Sequence, residues 1–262
     1  MKRTAIDQGQ PFDFGRTAAD YARYRDIYPA SLYARLLHFG IGRAGSEVLD
    51  LGTGTGVIPR FMVQYGAHFT GIDISPEQID AARQLSAGLP IDYLVTPAEQ
   101  TPFAPHAFDA ATACQCFHYF DRPRLLRELQ RLLKPDGRFC KIFMEWLPRE
   151  DQVIAATEQL VLTYNPAWSG GGYQVDDYRL PDWTEEVLEL ETLHRYRETL
   201  PFSVDGWCGR IRTCRGIGAS LPPEKVAAFD RDLRQLLRQF TADTLQLRHE
   251  IQIEIFRFRP SP

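Results

Sequence analysis

Cysteine is scarce. The chain of 262 residues has five, Cys114, Cys116, Cys140, Cys208 and Cys214, an odd number without a CxxC pair. A disulfide framework or a zinc site is therefore not expected, no metal is expected, and the thiols should be reduced. Long apolar runs are also missing: no window approaches 18 apolar residues, and Met1-Lys2-Arg3-Thr4 leads into Asp7 and Gln8. Neither a spanning helix nor a secretory leader is expected, no membrane partner is implied, and the cytoplasm is the default location. There is no excess of charge of one sign, since 30 Lys+Arg stand against 34 Asp+Glu for a net charge of −4, so nucleic acid is not an expected partner. Residues 145–191 deepen that exclusion with 11 acidic side chains against Arg149 and Arg179 alone, whereas 207–262 hold 10 basic against 6 acidic. There is no internal repeat or low-complexity tract. What is present, 44% hydrophobic and 24% charged residues, is an ordinary globular composition, and the length fits one to two domains at about 150 residues each.

Residues 46–143 alternate short apolar runs with longer amphipathic ones, the pattern of an α/β parallel sheet covered on both faces. Strands are expected over Glu47–Leu51, His68–Asp73, Ile91–Thr96, Phe108–Cys114 and Arg138–Phe143. Between them lie helices over Val57–Tyr65, with Pro59 in the first turn; Ser75–Leu85, with Ser75 as N-cap; and a leucine-rich run after Asp121, ended by Lys134-Pro135-Asp136-Gly137. After Glu145 the alternation breaks. A helix near 150–163, an irregular Asn165–Gly172 segment and an acidic helix near 181–189 read as an inserted cap, and the core resumes with a sixth strand, Leu193–Pro201. Helices near 203–214 and 222–240 lead to a seventh strand, His249–Arg259; aromatic helical segments 17–25 and 29–38 precede the core. The expected division is 1–144 as a cofactor-binding core with an N-terminal helical lid, 145–191 as the cap, and 192–262 as the part that completes the sheet.

The most informative stretch is Val48-Leu49-Asp50-Leu51-Gly52-Thr53-Gly54-Thr55-Gly56. Glycines after a first strand let a ligand approach backbone, and this is where α/β sheets bind nucleosides. A dinucleotide fold uses GxGxxG to set a pyrophosphate on a helix N-terminus; here the loop is GxGxG and Asp50 precedes it, which suits a cationic or amine-bearing ligand better. At these residues the chain resembles the class I S-adenosylmethionine-dependent methyltransferases, in particular the group with the ubiquinone-biosynthesis and trans-aconitate enzymes, over about residues 15–143 and more loosely over 190–262. The resemblance implies a Rossmann-like, mostly parallel seven-stranded sheet with helices on both faces and strand seven antiparallel. It implies S-adenosylmethionine as cofactor and S-adenosylhomocysteine as product. It assigns Asp50, Gly52, Thr53, Gly54 and Gly56 to the methionine end, Asp73 to both ribose hydroxyls, Ile74 to the adenine face, and Ala98 and Glu99 to the adenine edge. Gln115 would help close the methionine side, and Tyr21 and Arg25, one helical turn apart, would meet the cofactor carboxylate from the lid.

Acceptor recognition is less determined. His118, after strand four, could orient or deprotonate an acceptor, or simply pack. Asn165-Pro166-Ala167-Trp168 looks like the tetrad of amino-methylating enzymes, but that tetrad belongs directly after strand four. Trp168 beside Ser169-Gly170-Gly171-Gly172 therefore reads as an aromatic flap over the substrate or as a surface loop. Arg210, Arg212 and Arg215 are the candidates for holding a carboxylate or other anionic acceptor, with Arg212 and Arg215 expected on one helix face. The expected function is methyl transfer to a small-molecule acceptor by a monomer or homodimer. Two rivals stand beside it: a nicotinamide-dependent oxidoreductase, and a non-catalytic module that keeps the cofactor fold.

Overall fold

The structure, a computed structural model, describes residues 6–174, 187–240 and 243–259. The strands are β1 (Glu47–Leu51), β2 (His68–Asp73), β3 (Ile91–Val95), β4 (Phe108–Cys114), β5 (Leu133–Trp146), β6 (Leu188–Ser203) and β7 (Thr244–Phe258). They form one seven-stranded sheet in the order β3-β2-β1-β4-β5-β7-β6, mostly parallel with β7 antiparallel, as expected. The helices are α1 (Ala18–Tyr24), α2 (Ala30–His38), α3 (Val57–Met62), α4 (Pro76–Leu85), α5 (Arg122–Leu132), α6 (Gln152–Tyr164), α7 (Val204–Arg212) and α8 (Pro223–Leu237). No helix among the described residues is long and apolar enough to cross a membrane.

The chain divides into two compact units. The first comprises 1–27, 145–175 and 197–250; the second comprises 28–144, 176–196 and 251–262. Residues 145–175 group with the N-terminal segment and with α7 and α8, while 187–196 belong to the second unit with β1 to β4. The residues 181–186 of the expected acidic helix lie outside the described residues, and its end, from Leu188, already belongs to β6.

In the second unit the helix starts follow local chemistry. The Ser75 hydroxyl accepts the Gln78 amide with Pro76 at the first helical position, and the Asp121 carboxylate accepts the Arg124 amide. Leu125, Leu126, Leu129 and Leu132 of α5 are buried with Leu49, Leu51, Ile72, Ala111, Ala113 and Phe139 of the strands. The expected turn over 134–137 sits inside β5: pairing moves from Phe108–Leu133 to Ala110–Arg138, so the turn is a large bulge within one strand. In the first unit, α7 ends at Arg212, so Arg215 lies beyond it and does not share a helix face with Arg212. The helix expected over 203–214 is shorter because its C-cap falls at Thr213.

Candidate functional site

The glycine loop follows β1 in the second unit, at the carboxyl end of a parallel strand. Register defines its floor. Tyr93, Gly71, Asp50 and Thr112 lie in one row across β3, β2, β1 and β4. A Cβ on Gly71 would stand 2.8 Å from both Thr53 Oγ1 and the Tyr93 ring, so only glycine lets Tyr93 lean across β2 toward the loop. Gly56 has φ +76° and starts α3, and a Cβ there would overlap the Tyr93 phenol oxygen. Tyr93 is in turn held by Ser86, 2.8 Å away, and burial pushes its phenol up to about 12.

Asp50 sits beneath the loop and is 2% exposed. One carboxylate oxygen accepts the Thr53 hydroxyl at 2.6 Å and the other the Thr112 hydroxyl at 2.5 Å. Burial pushes its pKa up to about 6, against the lowering effect of those two bonds. Asp50 thus braces the loop through Thr53. Asp73, at the end of β2, fastens it from the side. Its Oδ2 accepts the Gly54 amide at 3.0 Å, its Oδ1 accepts the Ser75 amide at 2.9 Å, and burial raises its pKa while the amide bonds oppose the rise. Ile74 beside it is 52% exposed, a large apolar side chain presented to solvent. Ala98 is buried in the core, and Glu99 accepts the Asp121 amide at 2.8 Å, joining the end of β3 to the start of α5.

Past β4, Gln115 adopts φ +61°, which is strained for a residue with a side chain, and its side-chain amide donates to the Met144 carbonyl at 2.6 Å. The Cys116 thiol donates to the Leu51 carbonyl at 3.1 Å. His118, in a short turn over Phe117–Tyr119, has its ring 3.9 Å from that of Tyr119 and 6.1 Å from that of Phe143. Asp50, Gly52, Thr53, Gly54, Gly56, Asp73, Ile74, Ala98, Glu99, Gln115 and His118 all belong to this second unit.

Tyr21, Arg25, Trp168, Arg210, Arg212 and Arg215 belong to the first unit. Arg25 donates to the Tyr21 hydroxyl at 3.3 Å and lies over its ring, as their one-turn spacing suggests. Trp168 is 7% exposed, and Cβ atoms on Gly170, Gly171 or Gly216 would press into its indole, so its ring is packed between glycines. Arg212 is shared by Asp20 at 2.8 Å and by Asp230, and Arg215 pairs with buried Asp7 at 2.6 Å. Arg210, 2% exposed, lies over Trp146, Phe202 and Trp207, each 5.2 Å from ring centre to guanidinium carbon. Its Nη1 donates to His249 Nε2 at 2.7 Å; burial and the Arg210 charge lower the His249 pKa to about 3, which fixes a neutral ring whose Nδ1–H donates to the Leu247 carbonyl. Sequence reasoning missed Tyr93, Thr112 and His249, since their roles depend on strand register and on packing across distant segments. No group of three or more possible metal ligands occurs among the described residues.

Residues 49–140 match the family model described as a methyltransferase domain. A demethylmenaquinone methyltransferase of Thermotoga maritima is 32% identical over 179 residues, covering 61% of this chain and 75% of its own. An uncharacterized methyltransferase of Mycobacterium tuberculosis is 33% identical over 151 residues, 57% of this chain; the match spans only 58% of that relative's length. Among solved structures, the YcgJ protein of Bacillus subtilis superposes with a TM-score of 0.53 at 20% identity, covering 88% of this chain and 100% of its own, a likeness of fold. With three quarters of the Thermotoga maritima relative covered at 32% identity, the chain belongs to the class I S-adenosylmethionine-dependent methyltransferase family.

Proposed function

We propose that the protein transfers a methyl group from S-adenosylmethionine to a small-molecule acceptor, releasing S-adenosylhomocysteine. The observation that carries this reading is Asp73. A carboxylate at the end of β2 is held by two backbone amides, one of them in the glycine loop, beside an exposed apolar Ile74. The donor set fits the cofactor. Each Asp73 oxygen keeps a lone pair for a ribose hydroxyl, and a loop of alternate glycines leaves backbone open to the methionine end. Gly52, Thr53, Gly54 and Gly56 would hold that end, Ile74 would cover the adenine, and Ala98 and Glu99 would flank it. Asp50 would act from below by fixing Thr53. Bound there, the cofactor would supply an electrophilic methyl group on a sulfonium. The protein's share is then mainly alignment and exclusion of water, with Gln115 and His118 proposed on the acceptor side.

Arg212 and Arg215 each already serve a carboxylate of their own unit, which argues against either holding an anionic acceptor. The test is a transfer assay with methyl-labelled S-adenosylmethionine against small molecules bearing hydroxyl, carboxyl and amine groups. Label in an organic acceptor, with one S-adenosylhomocysteine released per methyl, supports the proposal. Binding without transfer to any acceptor favours a non-catalytic module, and binding of NAD in place of S-adenosylhomocysteine overturns the reading.

A further inference from the structure

Gly71 lies within β2 and Gly56 immediately before α3, and both make room for the same side chain. A Cβ on Gly71 would stand 2.8 Å from the Tyr93 ring, and one on Gly56 would stand 2.2 Å from the Tyr93 phenol oxygen. Glycine inside a strand weakens it and often marks a close approach of another group. Two such positions around one ring make the placement of Tyr93 the feature that this part of the second unit is built around.

That placement comes from α4. Ser86, the C-cap of the helix, lies 2.8 Å from the phenol oxygen, and Arg83 in its last turn donates to the Tyr93 carbonyl at 3.0 Å. The start of α4 is set by Asp73, whose Oδ1 accepts the amide of the N-cap Ser75. Asp73 Oδ2 accepts the Gly54 amide, and the phenol meets the same loop again at Gly56. The loop is thus held at two points, through Asp73 at the start of α4 and through Tyr93 at its end. Between them the Gly56 amide donates to the Thr53 carbonyl at 2.9 Å, and Arg60 Nε donates to the Thr55 carbonyl at 3.2 Å, so a shift at Gly56 is passed back to Thr53.

We propose that Tyr93 is a positioning residue for the cofactor: its phenol, fixed by Ser86, acts as a stop against Gly56 and so sets the loop at the methionine end. The proposal rests on the methyl-transfer reading and adds a residue that acts through Gly56. Removing the phenol oxygen leaves both amide bonds of Asp73 in place, so the nucleoside end keeps its partners while the methionine end loses its geometry.

The experiment is calorimetry of wild type, Tyr93→Phe and Ser86→Ala with S-adenosylhomocysteine and with methylthioadenosine, which keeps the nucleoside and the sulfur but lacks the amino acid. Urea titration of each protein accompanies it. S-adenosylhomocysteine should bind Tyr93→Phe at least about fivefold more weakly than wild type, with methylthioadenosine affinity unchanged. Ser86→Ala keeps the phenol but removes its partner, and it should shift the ratio of the two affinities in the same direction, which decides the matter should Tyr93→Phe fail to fold. A phenol that only stabilises the fold would lower the urea midpoint and leave that ratio as it is in wild type. An unchanged ratio, parallel weakening of both ligands, or no methylthioadenosine binding by wild type would overturn the proposal. Absence of S-adenosylhomocysteine binding by wild type would instead overturn the methyl-transfer reading.

Discussion

The Gly54 amide donates to Asp73 Oδ2 at 3.0 Å, so the loop after β1 is fastened to the carboxylate that ends the neighbouring strand. The residue proposed to clamp a ribose is thereby also the residue that sets the shape of the loop above the methionine end. Binding and loop geometry should respond together to changes at Asp73.

Gly56→Ala should lower stability by about 1–3 kcal/mol in urea titration, because a side chain at φ +76° is strained and its Cβ would displace Tyr93. Gly45→Ala, also at positive φ but with nothing within 4 Å, should cost less. Equal losses at the two positions would show that Tyr93 does not limit the loop.

Asp50 gives the protein a pH dependence of definite sign. Its folded pKa, about 6, lies above the ordinary 3.8, so the folded state favours the protonated acid. The resulting stability is complete below about pH 4 and is lost as pH rises through 6, a span on the order of 3 kcal/mol. Comparison of wild type with Asp50→Asn by urea titration from pH 4 to 8 should show wild type losing ground to the variant as pH rises. A constant difference would contradict the buried, raised carboxyl.

Arg212→Ala should destabilise the protein by about 1–3 kcal/mol, since it leaves Asp20 of α1 and Asp230 of α8 without their shared cation. S-adenosylhomocysteine affinity should not change. A fully stable variant with impaired turnover would restore the acceptor-binding role that the sequence suggested.

The sheet was legible because β1 to β4 are short apolar runs between capped helices, and their boundaries agree with the structure to within a residue. β5 was shortened in the reading because Pro135-Asp136-Gly137 spells a turn, and only the pairing of Phe108 with Leu133 shows that the turn is a bulge inside a strand. Asp73 and the glycines could be identified locally, by position after a strand. Arg210 and Arg212 could not, because their aromatic and acidic partners come from segments up to 192 residues away.

The most direct test of the account is calorimetric binding of S-adenosylhomocysteine to wild type and Asp73→Ala, with folding of both checked by circular dichroism. Losing charged hydrogen bonds to the ribose is worth about 1.5–3 kcal/mol, so the variant should bind about ten- to a hundredfold more weakly while remaining folded. No binding by wild type, or equal affinity in the folded variant, would contradict the cofactor site proposed around Asp73.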